Sequence, residues 1–258
     1  MKITDLENKI INADCIEILK QLPDESIDLV VTDCPYKITS GGCTTGLYGN
    51  DKDNIVKGCG RCAKKWETSG QLDENYSNVK SGKMFNHNEI EFEDWLPEIY
   101  RVLKDKTHCY IMVNGRNLAK LQQVAENVGF IYQNLLVWEK GNSTPNKFYL
   151  NACEFILMLR KGRERWINNM GTKTILKVPN IIGTKRHPTE KPVHLMQILI
   201  ENSTNEEDIV LDPFAGSSPI AVACKRSKRK FICIELDKKY FDASQDRMKE
   251  EQIKRRLF

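Results

Sequence analysis

The chain contains no apolar run that approaches the roughly 20 residues needed for a membrane-spanning helix. Its first ten residues, MKITDLENKI, carry charges throughout and so do not form the basic-then-apolar pattern of a secretory signal. The nine cysteines are an odd number, and several of them lie inside apolar runs. These absences predict a soluble protein of a reducing, cytoplasmic compartment.

A strong net charge is also missing, because 39 basic residues nearly balance 35 acidic ones and leave a formal charge of +4. The chain as a whole therefore favours a polyanionic partner only weakly. Basic residues cluster at 225–230, at 254–256 and in the polar stretch after residue 56. Each cluster taken singly is typical of a solvated surface.

Hydrophobic periodicity predicts strands that alternate with helices along most of the chain. Residues 27–33, IDLVVTD, form a continuous apolar run, which is typical of a strand covered on both faces. The predicted strands are 8–14, 27–33, 108–113, 130–139, 153–160, 208–212 and 230–236. The predicted helices are 15–21, 91–104, 116–128, 191–202, 218–227 and one that begins at 238. This order predicts a single α/β domain over 1–258, with a mostly parallel seven-stranded sheet and helices on both faces.

Two polar stretches, 37–88 and 161–186, interrupt this pattern. A loop of about 50 residues is uncommon in a compact domain and is usually functional or disordered. The first stretch contains the candidate metal ligands Cys43, Cys59, Cys62 and His87. Its segment CGRC resembles half of a zinc knuckle, but one C-x-x-C without a second pair is a weak signal. No metal site is therefore predicted.

The stretch DIVLDPFAGSSPIAVACKRSKRKFICIELD indicates a nucleotide-binding layout. An apolar strand ends at Asp212, small residues form the turn into a helix, and the next strand ends at Glu235. Small residues let the backbone approach a ligand, and an acid at the second strand end accepts bonds from ribose hydroxyls. Because the turn lacks the G-x-G-x-x-G pattern, a small zwitterion fits it better than a pyrophosphate. A tight turn that binds no ligand is the alternative.

The segment TDCPY places a carboxylate, a thiol and a phenol beside one proline, at Asp33, Cys34, Tyr36 and Pro35. Residue types alone allow a cysteine nucleophile, a metal site, or a carboxylate that accepts a hydrogen bond from the substrate. A strand-end turn with an incidental tyrosine is a further alternative. For these residues taken alone, the strand-end turn is the favoured interpretation.

Taken together, TDCPY, HPTEKPVHLMQILI and DPFAGSS resemble the motifs of the amino-methyltransferases that act on exocyclic amines of DNA bases. In that family the DPFxGSG loop holds S-adenosylmethionine, and the D/S-P-P-Y motif holds the target base. The target-base motif comes first in this chain, which is the circularly permuted order of the family's β group. The resemblance implies a Rossmann-like methyltransferase domain with a target-base half at 1–160 and a cofactor half at 187–258.

The resemblance also implies a set of cofactor-binding residues. Glu235 would bind the ribose of the cofactor, and Asp14 would lie near its adenine. The segment with His187, Thr189 and Lys191 would cover its other side. The residues that would line its methionine end are Asp212, Phe214, Ala215, Gly216, Ser217 and Ser218. Two positions depart from the family pattern, since Ser218 replaces a glycine and Pro219 replaces a threonine. A serine fits at 218 unless the backbone there needs a positive φ, which would cost about 1 kcal/mol or more.

For TDCPY the resemblance implies a catalytic role. The Asp33 carboxylate and the Cys34 backbone carbonyl would accept hydrogen bonds from the two N–H groups of the target amine. Tyr36 would stack on a base flipped out of the duplex. Cys34 replaces the family's first proline, but Pro35 still confines it to extended conformations and so keeps its carbonyl direction. The thiol is not expected to be a nucleophile, because cytosine carbon-5 methyltransferases use Pro-Cys rather than Cys-Pro.

The predicted function is therefore methyl transfer from S-adenosylmethionine to the N6 amine of adenine in DNA, since Asp at the first motif position goes mostly with adenine in this family. Cytosine N4 methylation, RNA adenine methylation, and a catalytically silent relative that binds DNA or a partner enzyme stay open. Double-stranded DNA is the expected partner, in the cytoplasm of a bacterial, archaeal or phage-infected cell. A homodimer and a cognate restriction endonuclease are left open as further partners. Sequence recognition falls to 37–88, to the basic residues of 161–186, or to a second subunit, and loop-dominated recognition of a short site is favoured.

Overall fold

The computed structural model describes residues 2–35, 90–144, 149–181, 183 and 190–256. The chain divides into two compact units, of which the first consists of Met1–Pro35, Glu91–Asn142 and Ala152–Phe258, and the second of Tyr36–Ile90 and Ser143–Asn151. The candidate metal ligands Cys43, Cys59, Cys62 and His87, and almost all of the second unit, lie outside the described residues. The domain boundaries expected from the sequence stay predictions.

One sheet organises the described residues. Its strands are β1 (Lys9–Asn12), β2 (Ile27–Asp33), β3 (Leu103–Val113), β4 (Ile131–Thr144), β5 (Asn151–Lys161), β6 (Ile175–Lys177), β7 (Ile209–Asp212) and β8 (Lys230–Glu235). They lie in the order β1-β8-β7-β2-β3-β5-β4-β6. The neighbours from β1 to β3 are parallel, β5 runs antiparallel to β3, and β6 is parallel to β4. The predicted α/β class with a mostly parallel sheet is confirmed.

The expectation of seven strands is wrong, because the sheet has eight strands in the described part of the chain. The additional strand, β6, lies within 161–186, which was expected to be irregular. Three residues are too few to show a strand period, and β6 owes its conformation to pairing with β4, where Val137 is opposite Ile175. A partner almost forty positions away in the chain left no local signal in the sequence.

The α-helices of the described residues are α1 (Cys15–Leu19), α2 (Phe92–Val102), α3 (Leu118–Val128), α4 (Val193–Ser203), α5 (Pro219–Arg226) and α6 (Lys238–Arg256), and a short 3-10 helix spans Ile3–Asp5. Each α-helix agrees with a predicted helix to within a few residues. Helix α2 contacts α1 and α3, whereas α5 contacts α4 and α6. No helix in this part of the chain is long and apolar enough to cross a membrane.

Both faces of the sheet are covered, as β2 shows. Leu29 and Val31 are fully buried in a core that also contains Leu195 of α4 and Ile220 of α5. Val30 is equally buried, and because successive strand residues point to opposite faces it belongs to the other side. Burial on both sides explains why this strand is a continuous apolar run. The prediction of helices on both faces is confirmed.

Helix α2 contributes to the edge of the sheet where the site lies. Its buried stripe includes Phe92, Trp95 and Ile99, and its first turn is closed by a capping box between Glu91 and Asp94. The Trp95 ring packs edge-to-face on Phe214, with 5.2 Å between ring centroids. The helix thus supports the loop that follows β7.

Candidate active site

Three acidic residues end three neighbouring parallel strands. Asp33 ends β2, Asp212 ends β7 and Glu235 ends β8, so all three lie at the same edge of the sheet. From β7 the chain continues to β8 on one side, whereas from β2 it continues to β3 on the other. Ligands of open α/β sheets bind at such a reversal, outside the carboxyl ends of the strands. The topology therefore favours a ligand site between the ends of β2 and β7.

Asp212 is buried and organises the loop that follows β7. Its Oδ1 accepts a hydrogen bond from Thr32 Oγ1 at 2.8 Å and another from the Phe214 amide at 3.1 Å. Burial raises the pKa of Asp212 to about 7, although these two hydrogen bonds oppose the shift. The carboxyl thus ties β2 to β7 and shapes the turn from within.

Glu235 fixes the other side of this loop. Its Oε2 accepts from the Gly216 amide at 2.7 Å, and its Oε1 accepts from the Asp237 amide at 2.8 Å. Gly216 has a φ of +52°, a conformation that suits glycine. An acid at the end of this strand is the type of residue that accepts hydrogen bonds from ribose hydroxyls.

Ser218 occupies the position where the sequence raised a doubt about φ. Its φ is +51° and its ψ is +54°, so a non-glycine residue takes the left-handed conformation directly before α5. The side chain is fully buried, and Ser218 Oγ is one of two buried side-chain polar atoms in the described part of the chain that have no hydrogen-bond partner. Pro219 follows at the first position of the helix, where its missing N–H costs nothing.

Asp33 is joined to a row of charged side chains. Lys191 Nζ lies 2.6 Å from Asp33 Oδ2 and 3.3 Å from Glu154 Oε2. Lys140 Nζ lies 3.4 Å from the other Glu154 oxygen, Oε1. No described residue bonds to Asp33 Oδ1. Lys191 was predicted to cover the cofactor, and the structure places its ammonium on the predicted catalytic carboxylate.

The electrostatics of this row follow from burial and pairing. Burial raises the pKa of the Asp33 carboxyl, against the opposing effect of the Lys191 ammonium. Burial would lower the pKa of Lys191, but the carboxylates of Asp33 and Glu154 raise it above its ordinary value. Burial would raise the pKa of Glu154, but Lys191 and Lys140 hold it below its usual range. The row therefore keeps its charges in a site from which much of the water is excluded.

The Cys34 thiol points away from this chemistry. It is 2% exposed, and its Sγ donates a weak hydrogen bond to the Met112 carbonyl of β3 at 3.7 Å. Burial raises the pKa of Cys34 well above its ordinary value, and the nearby Asp33 charge adds to the shift. A thiol that stays protonated is a poor nucleophile, which agrees with the minor role predicted for this side chain.

A second ionic contact joins the segment before α4 to the loop after β7. Arg247 of α6 lies 2.8 Å from Glu190 Oε1, and both side chains are nearly buried. The same guanidinium donates to the backbone carbonyl and to the hydroxyl of Ser217, each at 3.1 Å. Glu190 is therefore linked to the predicted cofactor loop through Arg247, whereas the next residue, Lys191, contacts Asp33 directly.

Asp14 lies at the start of α1, where its Oδ1 accepts from the Ile16 amide at 2.7 Å and caps the helix. The preceding strand β1 is held against β8 by Asn12, whose side-chain amide donates to the carbonyls of Glu235 and Leu236. Asp14 thus follows directly on the strand that flanks Glu235, and its place near a bound adenine stays a prediction.

The structure brings Asp33, Cys34, Lys191, Asp212, Glu235 and the loop 214–218 together at the carboxyl edge of the sheet. Tyr36, His187 and Thr189 lie outside the described residues, and their roles stay predictions. The residues that sequence reasoning missed are Lys140, Glu154, Glu190 and Arg247. One of them left a signal, because the carboxylate of Glu154 interrupts the apolar run CEFILML and would need a partner if buried.

Comparison with known proteins gives matches over nearly the whole chain. Residues 27–246 match the model of a protein family described as DNA methylase. Type II methyltransferase M.HinfI of Haemophilus influenzae is 28% identical over 271 residues, which cover 96% of this chain and 70% of that protein.

Solved structures show the same fold. The crystal structure of the M1.HpyAVI–SAM complex has a TM-score of 0.63 and 24% identity, over 93% of this chain and 98% of that one. PvuII DNA methyltransferase, described as cytosine-N4-specific, has a TM-score of 0.66 and 19% identity, over 93% of this chain and 85% of that one.

Proposed function

The chain belongs to the DNA methylase family as a methyltransferase that uses S-adenosylmethionine, and we propose that it methylates the N6 amine of adenine in double-stranded DNA. The observation that carries this proposal is the Asp33 carboxylate at the end of β2, held by Lys191 through one oxygen only. It lies at the strand edge that also bears the loop expected to hold the cofactor.

The residues of the loop after β7 fit the cofactor. Gly216 has no Cβ to keep a ligand away from the backbone, and Glu235 can accept bonds from ribose hydroxyls while it holds the loop. The buried Ser218 hydroxyl has no partner in the described part of the chain, as expected of a group that bonds to a ligand. The similar M1.HpyAVI structure is a complex with the same cofactor. When bound, the cofactor supplies a methyl group on a positively charged sulfur.

Asp33 acts on the amine that receives this methyl group. The lone pair of an exocyclic amine is delocalised into the ring, so the amine is a poor nucleophile until acceptors draw on its N–H groups. Lys191 occupies Asp33 Oδ2 and leaves Oδ1 to accept one N–H. Burial raises the pKa of Asp33 and makes its carboxylate a better acceptor than an exposed one. A fixed acceptor matched to the positive charge that develops on nitrogen lowers the barrier.

The rest of TDCPY completes the proposed target site. The Cys34 carbonyl accepts the second N–H, because Pro35 confines residue 34 to extended conformations while its thiol is buried against β3. Tyr36, which lies outside the described residues, has the proposed role of stacking on the base that has been flipped out of the duplex. This division of roles makes the backbone of residue 34 more important than its side chain.

Adenine is proposed because Asp at the first motif position goes mostly with adenine in the resembling family. Cytosine N4 methylation is the second candidate, because a protein described as cytosine-N4-specific shares this fold. Both amines present two N–H groups to the same acceptors, so the fold alone does not distinguish them.

Transfer of a labelled methyl group tests the proposal. Purified protein is incubated with methyl-labelled S-adenosylmethionine and unmethylated phage DNA or RNA, and the products are digested to nucleosides. N6-methyladenine from DNA supports the proposal, and N4-methylcytosine supports the second candidate. Label in RNA alone, or cofactor binding without any transfer, contradicts both. Asp33→Asn should lower the rate by about 100-fold to 1,000-fold without abolishing cofactor binding.

A further inference from the structure

Four charged side chains of the first unit form a row that ends at the proposed catalytic carboxylate. Lys140 belongs to β4, Glu154 to β5, Lys191 to the segment before α4, and Asp33 to β2. The three contacts between them measure 3.4, 3.3 and 2.6 Å. The side chains of Lys140 and Lys191 are only 10% and 8% exposed. Strands β2 and β5 thus supply the two carboxylates that contact the Lys191 ammonium, and β4 supplies the lysine that pairs with one of them.

A lysine needs more than one partner to be held in one orientation. Its ammonium is a point charge on a flexible four-carbon stem, so a single carboxylate leaves several rotamers open. Glu154 supplies a second carboxylate from β5 and restricts that freedom. Lys140 balances the charge of Glu154 from the other side, which allows Glu154 to stay ionised although it is largely buried.

We propose that Glu154, held by Lys140, is a positioning residue that fixes the Lys191 ammonium on one oxygen of Asp33 and leaves the other oxygen directed at the target amine. This inference rests on the proposed function, because only there is Asp33 the amine acceptor. The described ion pairs of Glu154 are those with Lys140 and Lys191. Glu154 acts through Lys191, which distinguishes it from a residue that merely stabilises the fold.

The charges around Asp33 separate positioning from ionisation. Asp33 is faced by Lys191, by Glu154 beyond it, and by Asp212 of β7. The charge of Glu154 raises the pKa of Asp33, so its removal does not make Asp33 harder to ionise. Lys191 lowers the pKa of Asp33, so removal of this cation makes Asp33 harder to ionise. A lower methyl-transfer rate, without a shift of the acid limb of the pH–rate profile to higher pH, therefore indicates lost positioning.

Single-turnover methyl transfer as a function of pH tests the inference. Glu154→Gln should lower the rate between about tenfold and about 100-fold, as small misplacements of reacting groups do, with its acid limb not above that of the wild type. Lys191→Met should move the acid limb to higher pH. In the Lys191→Met background, Glu154→Gln should lower the rate little further, because the lysine through which Glu154 acts is absent.

The matched control is Glu139→Gln. Glu139 neighbours Lys140 in β4 and also pairs with a lysine at 3.4 Å, but that pair with Lys177 is exposed. Its rate should equal that of the wild type. A Glu154→Gln rate equal to this control overturns the inference, and so does a full additional loss in the Lys191→Met background.

Competitive acetylation of lysines provides a readout that needs no turnover. Treatment with acetic anhydride followed by peptide mass spectrometry should label Lys191 faster in Glu154→Gln than in the wild type or in Glu139→Gln, because the pKa of Lys191 falls when a neighbouring carboxylate is removed. If Lys191 is labelled at the same rate in Glu154→Gln as in the wild type, the proposal that Glu154 holds the Lys191 ammonium is overturned, whatever the methyl-transfer rate. A wild-type protein that transfers no methyl group overturns the proposed function instead.

Discussion

Replacement of Ser218 by glycine should stabilise the protein in the absence of cofactor. The serine has a φ of +51° and a fully buried hydroxyl without a partner in the described part of the chain. Relief of the left-handed conformation contributes about 1 to 2 kcal/mol. Removal of an unsatisfied buried hydroxyl contributes about 1 to 3 kcal/mol. Both terms act in the same direction.

Two costs oppose this gain. Glycine makes the unfolded chain more flexible, which costs about 0.4 to 1 kcal/mol. Loss of the buried methylene costs about 0.8 kcal/mol. The net stabilisation is about 2 kcal/mol, taken from the middle of these ranges. For a chain of this size it corresponds to a rise in Tm of about 4 to 8 °C.

The assay is reversible urea unfolding, followed by circular dichroism without cofactor, since a bound ligand adds its own stabilisation. Ser217→Gly is the matched control. That serine is also buried, but its φ is not positive and its hydroxyl accepts from Arg247 at 3.1 Å, so the same substitution should destabilise. A Ser218→Gly protein that is less stable than the wild type, or equal to it, would refute the reasoning.

Three further outcomes are expected. Cys34→Ser should retain most of the methyl-transfer rate, since the buried thiol is not the nucleophile, and near-total loss would restore a covalent mechanism. Arg247→Met should weaken cofactor binding about tenfold in calorimetric titration, because it releases Ser217. The control Arg226→Met breaks an ion pair between α5 and α6 and should leave cofactor affinity unchanged. Equal losses of affinity in the two variants would contradict the role of Arg247. Burial lowers the pKa of His108, so its neutral form contributes stability above its unfolded pKa of about 6.5 that is lost as pH falls through the folded value. Urea unfolding at pH 7 and pH 5 should thus show a larger loss for the wild type than for His108→Gln, and equal losses would exclude this role.

The sequence predicted those parts of the fold that repeat a local pattern. Strand β2 was placed at its observed bounds because burial on both faces makes it a continuous apolar run. The departures arise where conformation depends on distant partners. Strand β6 forms only against β4, and the left-handed backbone of Ser218 follows from the turn rather than from its own side chain.

The candidate site divides in the same way. Asp33, Asp212 and Glu235 were found because each ends an apolar strand, which is visible in the sequence. The contact between Asp33 and Lys191 joins residues that are 158 positions apart. A single sequence carries no record of such a pair. The resemblance to a family pointed to Lys191 but assigned it to the cofactor, because its motif lies beside the cofactor half.

The adjacency of Glu190 and Lys191 has a thermodynamic consequence. Glu190 is bonded through Arg247 to the loop expected to hold the cofactor. Lys191 is bonded to Asp33, the carboxylate expected to hold the base. Their Cα atoms are about 3.8 Å apart across one peptide bond, so a shift on one side displaces the other. We therefore expect cofactor and target DNA to bind cooperatively, and by linkage the factor by which each strengthens the other must be the same.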